Sequence, residues 1–367
     1  MRHYNLVGLL LLIFCLVLPL VAVQAQVVVF APIHPKAYSS NFKVTTLAGD
    51  SVSKGSADGL GPAVRFARPM GLAVAGSGVV YVVDEESLTI RRVTPLGEVT
   101  TLAGAVGRKG SADGTGPAAR FYHPVGVAVV ADGTLYVTDA DNQTIRKITP
   151  TGVVTTLAGT AGRKGSTDGV GAAARFNLPH SIAVDANGVV YVADTFNHTI
   201  RKITPAGSVT TLAGTAGRKG STDGLGTTAL FNSPAGVAVD AQGTVYVADN
   251  GNQTMRKIAP TGRVTTLAGP AGPRGGTDGP GPTARFRYPT GVAVDASGTV
   301  YVTDHMNATV RRITPVGEVT TLVGTALGFG HTDGIGQAAR FKSVSGIAAD
   351  AQGTLYVTDG CCLRVIK

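Results

Sequence analysis

One interval dominates this sequence, because a phenylalanine and a tyrosine each recur every 55 residues along most of the chain. The phenylalanines are Phe66, Phe121, Phe176, Phe231, Phe286 and Phe341, and the tyrosines are Tyr81, Tyr136, Tyr191, Tyr246, Tyr301 and Tyr356. Self-similarity at a fixed period of this length is the signature of a fold built from repeated supersecondary units. Such units bury their apolar faces only against neighbours, so the six copies must pack on one another.

Each of the first five copies carries four short runs typical of β-strands, separated by turn residues. In the third copy these runs are IAVD, VVYVAD, TIRKITP and SVTTLAG, with Asn187-Gly188 between the first two. Asn-Gly favours a tight hairpin turn. The first two runs are apolar with little alternation, as in strands covered on both faces. Four strands at this period are typical of one propeller blade. The sequence therefore predicts an all-β fold, a six-bladed β-propeller.

The two ends of the repeat region predict how the ring closes. A complete fourth strand over residues 44–49 precedes the first full copy, whereas the last copy ends in its third strand at residues 363–367. The N-terminal strand is expected to complete the blade that the C-terminus begins. This arrangement pairs edges that an open ring would leave exposed.

The copies share the pattern P-x-G-V-A-V-D, then V-Y-V-A-D, then N-x-T-I-R-K-I. This pattern resembles the NHL repeat, and the connection TLAG...DG...ARF is similar to that of bacterial extracytoplasmic NHL proteins. The resemblance covers residues 43–367 and implies a six-bladed propeller, which we expect to be monomeric. It selects no activity, because propellers of this type include binding modules, RNA readers, lyases and lactonase-like hydrolases.

The first 42 residues lie outside the repeat. A basic start at Arg2, an apolar run over residues 6–23 and a small residue at Ala25 predict a cleaved signal peptide at residues 1–25. Residues 26–42 are predicted to be a linker. An uncleaved membrane anchor is the alternative, since the run approaches the roughly 18 residues that a spanning helix needs. Cleavage predicts a secreted, periplasmic or cell-surface protein with no stable membrane span.

Charge and cysteine content narrow the partners and the sources of stability. The formal net charge of +9 favours acidic partners, and export argues against nucleic acid as a ligand. Cys15 falls in the predicted signal peptide, which leaves the adjacent Cys361 and Cys362. Adjacent cysteines form no long-range cross-link, so packing must stabilise the fold. A vicinal disulfide and a pair of partly buried thiols are both compatible with the sequence.

Two sets of aspartates recur in every copy, and recurrence favours a structural role. The set after the second strand is predicted to cap the adjacent turn: Asp84, Asp139, Asp194, Asp249, Asp304 and Asp359. The other set is Asp58, Asp113, Asp168, Asp223, Asp278 and Asp333. These aspartates are expected to pair with arginines of the ARF segment, which are Arg65, Arg120, Arg175, Arg285 and Arg340.

Positions where the repeat is broken are the better candidates for a functional site. Strand order places the long connections and the turns between second and third strands on one face, called here the long-loop face. The candidate ligand-binding residues near its channel mouth are Arg68, His123, His180, Phe196, His198, Tyr288 and His305. Such groups can hold a polar ligand or a metal. The histidines occupy different repeat positions, so no cofactor is expected, and a bound metal ion is left open.

Arginine-lysine pairs recur at the tips of three connections. We call these six residues the basic crescent: Arg108, Lys109, Arg163, Lys164, Arg218 and Lys219. Lys54 and Arg274 flank it. An acidic polysaccharide or lipopolysaccharide phosphate could lie along such a surface. The alternative interpretation is a solvated set of loop tips inherited by duplication.

The sequence favours a non-catalytic binding scaffold that presents its long-loop face to a protein or an acidic polysaccharide. The alternative is a metal-assisted lactonase-like hydrolase or lyase with its site at the channel mouth, and no catalytic residue is assigned. The two classes differ in geometry. An enzyme of that kind needs at least three ligand-type side chains converging on one point, whereas a scaffold needs only an exposed patch.

Overall fold

A computed structural model describes residues 41–367, which form six antiparallel sheets arranged as the blades of a closed ring. Each blade contributes an inner strand to the axis, and the inner strands of neighbouring blades contact one another around the whole circle. The predicted signal peptide and residues 26–40 of the predicted linker lie outside the described residues. No helix within residues 41–367 is long and apolar enough to cross a membrane.

The strands of each blade are given in order from the axis outwards. Blade 1 contains Pro69–Val74, Val80–Asp84, Thr89–Val93 and Glu98–Gly104. Blade 2 contains Pro124–Val129, Leu135–Asp139, Thr144–Ile148 and Val153–Gly159. Blade 3 contains Pro179–Val184, Val190–Asp194, Thr199–Ile203 and Ser208–Ala213. Blade 4 contains Gly236–Val239, Val245–Asp249, Thr254–Ile258 and Arg263–Ala268. Blade 5 contains Pro289–Val294, Val300–Asp304, Thr309–Ile313 and Val319–Gly324.

Blade 6 joins the two ends of the ring, as the sequence predicts. Its inner strands are Val344–Ala349, Leu355–Asp359 and Cys362–Ile366, and its outer strand is Lys43–Gly49. The outer strand runs antiparallel to the third, with Thr45 opposite Val365. Backbone hydrogen bonds between Lys43 and Lys367, at 2.7 and 3.1 Å, complete the pairing.

The long connections add a short fifth strand to most blades. We number each connection by the blade that it enters. The fifth strands are Gly59–Leu60, Gly114–Thr115, Gly169–Val170, Gly224–Leu225 and Gly334–Ile335, in blades 1 to 4 and 6. One-turn 3₁₀ helices follow them at Gly61–Ala63, Gly116–Ala118, Gly171–Ala173, Gly226–Thr228 and Gly336–Ala338. Three more follow second strands, at Thr195–Asn197, Asn250–Asn252 and His305–Asn307.

The apolar core lies between the blades. The recurring phenylalanines and tyrosines are central to it: Tyr81 of blade 1 packs with Phe121, Val137 and Ile148 of blade 2 and its connection. Five further clusters repeat this arrangement around the ring. Because every cluster draws on two blades, no blade buries its apolar surface alone.

A fully buried arginine on the third strand holds each blade together. In blade 3, Arg201 lies between Asp194 (Nη1 to Oδ2, 2.8 Å) and Asp168 (Nη2 to Oδ1, 2.7 Å). Its guanidinium carbon lies 5.2 Å from the centre of the Phe176 ring, within cation–π range. The equivalent arginines in the six blades are Arg91, Arg146, Arg201, Arg256, Arg311 and Arg364.

The aspartates after the second strand have the predicted structural role, but Asp194 makes no side-chain cap hydrogen bond to the backbone of the adjacent turn. Asp194 accepts hydrogen bonds from the Asn177 backbone N–H (2.8 Å) and from the Asn197 side chain in the adjacent turn (2.7 Å). The first bond, together with that from Phe196 N to the Asn177 carbonyl (3.1 Å), ties the connection to the turn. Both segments therefore lie on the long-loop face.

The predicted partners of the other aspartates are wrong. Asp168 pairs with Arg201, whereas Arg175 of the ARF segment donates to the carbonyl oxygen of Ala174 (2.7 Å). The reason is burial. Arg201 has no exposed surface and needs carboxylate partners, while the half-buried Arg175 satisfies its donors on the backbone beside its own 3₁₀ helix.

Small residues at the axis allow the inner strands to approach closely. A Cβ on Gly126 would lie 2.6 Å from the His180 carbonyl oxygen of the next blade, closer than van der Waals contact permits. The equivalent glycines are Gly71, Gly126, Gly236, Gly291 and Gly346. Blade 3 has Ser181 there, and its hydroxyl accepts the Val237 N–H at 3.1 Å. The inner strands of neighbouring blades therefore pack closely around the axis.

Cys361 and Cys362 are buried free thiols. Burial raises the pKa of the Cys362 thiol to about 12, and the nearby Asp359 carboxylate raises it further. The Cys362 sulfur lies 3.8 Å from Nε2 of His331. Of the two outcomes compatible with the sequence, the structure has the thiol pair.

Replacing the buried arginine tests its structural role. Arg201→Met leaves Asp194 buried without its cation, and breaking a buried ion pair costs about 3–5 kcal/mol. We expect a loss of that size in the free energy of unfolding, measured with urea. Lys202→Met is the matched control, because Lys202 is half-buried on the same strand, and it should change the value by less than about 0.5 kcal/mol. Equal effects of the two substitutions would contradict the assignment.

Candidate functional site

A cavity of about 230 Å³ opens at the channel mouth on the long-loop face. Each blade contributes the second residue of the inner-strand segment, or its equivalent, to the wall: Met70, Val125, His180, Ala235, Thr290 and Ser345. Arg68 and His305 also line the cavity. The structure thus brings together Arg68, His180 and His305 of the predicted site residues. Most of the wall is small and uncharged.

The two histidines in the wall have fixed tautomers. Nδ1 of His180 lies 3.0 Å from the Ala235 carbonyl oxygen, and Nδ1 of His305 lies 2.8 Å from that of Val344. A carbonyl oxygen only accepts, so Nδ1 carries the proton in both rings. Burial lowers the pKa of His180. This ring is therefore neutral at pH 7 and keeps Nε2 as a hydrogen-bond acceptor.

A charged cluster forms the rim of the cavity between blades 1 and 2. The Glu85 side chain is only 5% exposed, and its Oε2 lies 3.0 Å from Nη1 of Arg68. Nε2 of His123 hydrogen bonds to Oε1 of Glu85, and Nδ1 lies 3.8 Å from Asp141. The hydrogen bond that His123 donates to Glu85 raises the pKa of His123 against the opposing effect of burial. The two cations neutralise the buried carboxylate.

Comparison with the equivalent residues of the other blades explains why Glu85 forms a hydrogen bond with His123. In blades 3 and 4, the side chains equivalent to Glu85 donate to a carbonyl of the next blade: Thr195 to Pro234 (2.7 Å) and Asn250 to Pro289 (3.0 Å). An ionised glutamate has no proton to donate. Glu85 instead accepts from the side chain of His123, the residue before the next inner strand. One change in the repeat thus created a new pair across the blade interface.

Three predicted site residues lie away from the cavity. Nδ1 of His198 accepts the Ser233 backbone N–H at 3.0 Å, so it serves as a structural cap. Burial and the neighbouring Lys219 lower its pKa. The Phe196 ring is 58% exposed at the turn surface. The Tyr288 ring lies 4.5 Å below the guanidinium of Arg274.

The basic crescent is exposed along its whole length. Within residues 41–367, none of its six side chains has a carboxylate at ion-pair distance. Lys109 makes a cation–π contact with Tyr122, at 5.0 Å. Lys54, which flanks the crescent, differs because Glu86 neutralises it at 2.9 Å. Six uncompensated positive charges therefore project from connections 2 to 4.

Metal-binding geometry is absent from the part of the chain that the structure describes. No group of three or more His, Cys, Asp or Glu side chains is arranged there to hold a metal ion. The rim cluster contains Glu85, Asp141 and His123, but the Glu85 carboxylate is already paired with Arg68 and His123. The sequence analysis did not select Asp141, because nothing in the repeat pattern indicates that this half-buried residue lies beside His123.

The environments of His123 in the rim cluster and of His180 in the cavity wall shift the pKa values of these two histidines in opposite directions. His123 should titrate above the ordinary value of 6.5 and His180 below it, which NMR of the imidazole protons measures. Glu85→Gln removes the negative charge and should bring the midpoint of His123 below 6.5, since burial alone lowers it. In the unaltered protein, the raised pKa of His123 in the pair with Glu85 contributes stability that is fully present below pH 6.5. This contribution is lost as the pH rises through the pKa of His123 in the folded protein. An unchanged midpoint in Glu85→Gln would contradict the pairing.

Comparisons of sequence agree with the repeat. The NHL repeat profile matches residues 121–148, 176–203, 231–258 and 286–313. NHL repeat-containing protein 2 of Homo sapiens is 36% identical over 149 residues, which cover 37% of this chain and 20% of that protein. Protein SUPPRESSOR OF QUENCHING 1, chloroplastic, of Arabidopsis thaliana is 37% identical over 148 residues, which cover 38% and 14% respectively. The chain spans a fifth or less of the length of these relatives.

Solved structures share the fold at low identity. A protein of unknown function from Bacteroides thetaiotaomicron superposes with a TM-score of 0.70 at 22% identity, covering 89% of this chain and 75% of that one. An auxiliary nutrient binding protein from Bacteroides ovatus gives 0.67 at 19%, covering 89% and 76%. Virginiamycin B lyase from Staphylococcus aureus gives 0.54 at 14%, covering 89% and 98%.

The matched segments are the second to fifth copies of the 55-residue unit, and the first and sixth copies continue it in register. The six-bladed ring, closed by strand Lys43–Gly49, is the fold that such units build. The chain is an NHL-repeat β-propeller.

Proposed function

We propose that this protein is a non-catalytic binding scaffold outside the cytoplasm that holds an acidic polysaccharide on its long-loop face. One observation carries the proposal: the basic crescent presents six exposed cations without carboxylate partners among the described residues. Unpaired charges of one sign on one face attract ligands of the opposite sign. Export, which the interpretation of residues 1–25 as a signal peptide would provide, belongs to the proposal.

The spacing of the cations favours a polymer over a small anion. Each of connections 2 to 4 carries one Arg-Lys pair at the same repeat position, so the charges recur around the ring. An exposed ion pair contributes only about 0.2–1 kcal/mol. Useful affinity therefore requires several contacts at once, which a polyanion with regularly spaced carboxylates provides.

The tips are held in place by the network beneath them. In connection 3, the Gly165 N–H donates to the Phe176 carbonyl at 2.9 Å, and Asp168 is fixed by Arg201. Asp168 also accepts the Thr211 N–H of the outer strand at 3.1 Å. A loop fixed at its base loses less conformational entropy on binding.

The channel mouth favours binding over metal chemistry. Its one buried carboxylate, Glu85, is already paired with Arg68 and His123, and the wall offers neutral groups. The alternative, a metal-assisted lactonase-like hydrolase or lyase, lacks a converging ligand set within residues 41–367. The similarity in fold to proteins described as auxiliary nutrient binding proteins is consistent with a binding role.

Binding to polygalacturonate tests the proposal. The purified protein should bind the immobilised polymer at low ionic strength and release it at high salt, because exposed charges are screened. Arg108→Gln, Arg163→Gln and Arg218→Gln together should weaken binding roughly tenfold, since three contacts of about 0.5 kcal/mol are lost. The control variant carries Lys147→Gln, Lys202→Gln and Arg263→Gln. It removes three charges near the opposite face and should bind normally.

Two results would contradict the proposal. Equal weakening by both triple variants would show that only net charge matters. A stoichiometric metal in the purified protein, found by elemental mass spectrometry and lost in His180→Ala or His123→Ala, would favour the hydrolase or lyase.

A further inference from the structure

A second pocket, of about 240 Å³, lies on the long-loop face between connections 5 and 6. We call it the arginine pocket. Its wall includes Arg274, Gly276, Arg287, Asn307, Ala326 and Leu327. We infer that it binds one carboxylated sugar unit, such as a hexuronate, of the acidic polysaccharide. This inference deepens the proposed function and rests on it.

The two arginines of the pocket lack anionic partners. Arg287 is half-buried, and its backbone is fixed by hydrogen bonds with Asp304 (2.7 Å) and Met306 (3.1 Å). Its side chain makes no hydrogen bond or ion pair within the described part of the chain, and the same holds for Arg274. Two guanidinium groups in one concave wall repel each other. An oxyanion that accepts from both relieves this repulsion, and guanidinium geometry suits a carboxylate.

Arg274 is held in position by an aromatic ring rather than by a counter-ion. Its guanidinium lies 4.5 Å from the centre of the Tyr288 ring, a cation–π contact that leaves the N–H donors free. Tyr288 has a left-handed backbone (φ 55°), and its N–H donates to Oε1 of Gln253 at 2.6 Å. The equivalent residues of connections 2 to 4 are His123, Leu178 and Ser233. Lys109, the equivalent of Arg274 in connection 2, contacts the ring of Tyr122 instead, at 5.0 Å. The pairing of an arginine with a tyrosine at these two repeat positions is therefore specific to connection 5.

A departure from the repeat makes room for the ligand. Gly276 stands where connections 1 to 4 have a serine: Ser56, Ser111, Ser166 and Ser221. A Cβ on Gly276 would lie 3.2 Å from Cβ of Ala326 and 3.3 Å from Nδ2 of Asn307, a tight fit. The repeat's own serine would therefore narrow the pocket between these two residues.

A second departure places an apolar side chain at the rim. Leu327 has a left-handed backbone (φ 62°) and is 55% exposed. Connections 2 to 5 have a glycine there: Gly107, Gly162, Gly217 and Gly272. A leucine in this conformation is strained, and strain kept at an exposed side chain points to a function. Two cations beside one apolar group complement the carboxylate and the C–H face of a sugar acid.

Titration calorimetry with D-galacturonate and D-galactose tests the pocket. Galacturonate should bind at least tenfold more tightly than galactose, which lacks the carboxylate. Arg287→Gln and Gly276→Ser should each abolish this preference, the first by removing a cation and the second by filling the pocket. Ser221→Gly is the matched control in connection 4 and should leave binding and Tm unchanged. Gly276→Ser should also keep the Tm of the unaltered protein.

The outcomes separate this inference from the proposed function. The crescent triple variant should retain galacturonate binding while it loses affinity for the polymer. Equal affinity for the two sugars, or full galacturonate binding by both Arg287→Gln and Gly276→Ser, would overturn the inference and leave crescent binding of the polymer untouched. Galacturonate binding that depends on the pocket, without polymer binding that depends on the crescent, would instead overturn the proposed function alone.

Discussion

Everything on the long-loop face depends on the buried arginine of each third strand. In blade 2, Arg146 joins Asp139 at the end of the second strand to Asp113 in the connection, at 2.8 and 2.7 Å. It also donates to the carbonyl oxygens of Arg120 and Ala112. Four acceptors from three segments thus converge on one cation. Because a buried charge is tolerated only with such partners, the network fixes the base of the connection and so the position of its tip.

Duplication of this network explains where function can vary. The residues that hold the blade must recur, whereas a side chain on a fixed tip can change at little cost to stability. Glu85 shows the limit of that freedom, since replacing a donor by a carboxylate required the cations of Arg68 and His123 beside it. Leu327 shows another limit, because it keeps the left-handed backbone of the glycines at the equivalent positions of connections 2 to 5, where a leucine is strained. Departures from the repeat that require a compensating partner or a strained backbone therefore indicate functional positions better than departures without such a cost.

The repeat made the fold and the ring closure predictable, because both follow from period and strand order. Of the seven candidate residues near the channel mouth, only Arg68, His180 and His305 line the cavity. The partners of individual charged side chains were harder to predict. Asp168 pairs with Arg201, 33 residues away, rather than with the nearer Arg175, because burial and not sequence distance decides the pairing. The sequence also did not show the direction in which a side chain at a turn points. His198 was predicted to lie near the channel mouth, but its ring accepts a backbone N–H from Ser233 instead. Arg287 was missed because its pocket exists only where connections 5 and 6 meet.

The basic crescent and the arginine pocket occupy different connections of one rigid ring, and this has a consequence for selectivity. Exposed lysines and arginines attract any polyanion weakly, and salt screens them. A pocket with two guanidinium groups, an apolar rim and little spare room discriminates between units of the polymer. Under the proposed function, a polymer held by the crescent would present other units of its chain to the pocket at high effective concentration, since both surfaces lie on the same face. Affinity and selectivity would then arise from separate residues, which allows each to change without the other.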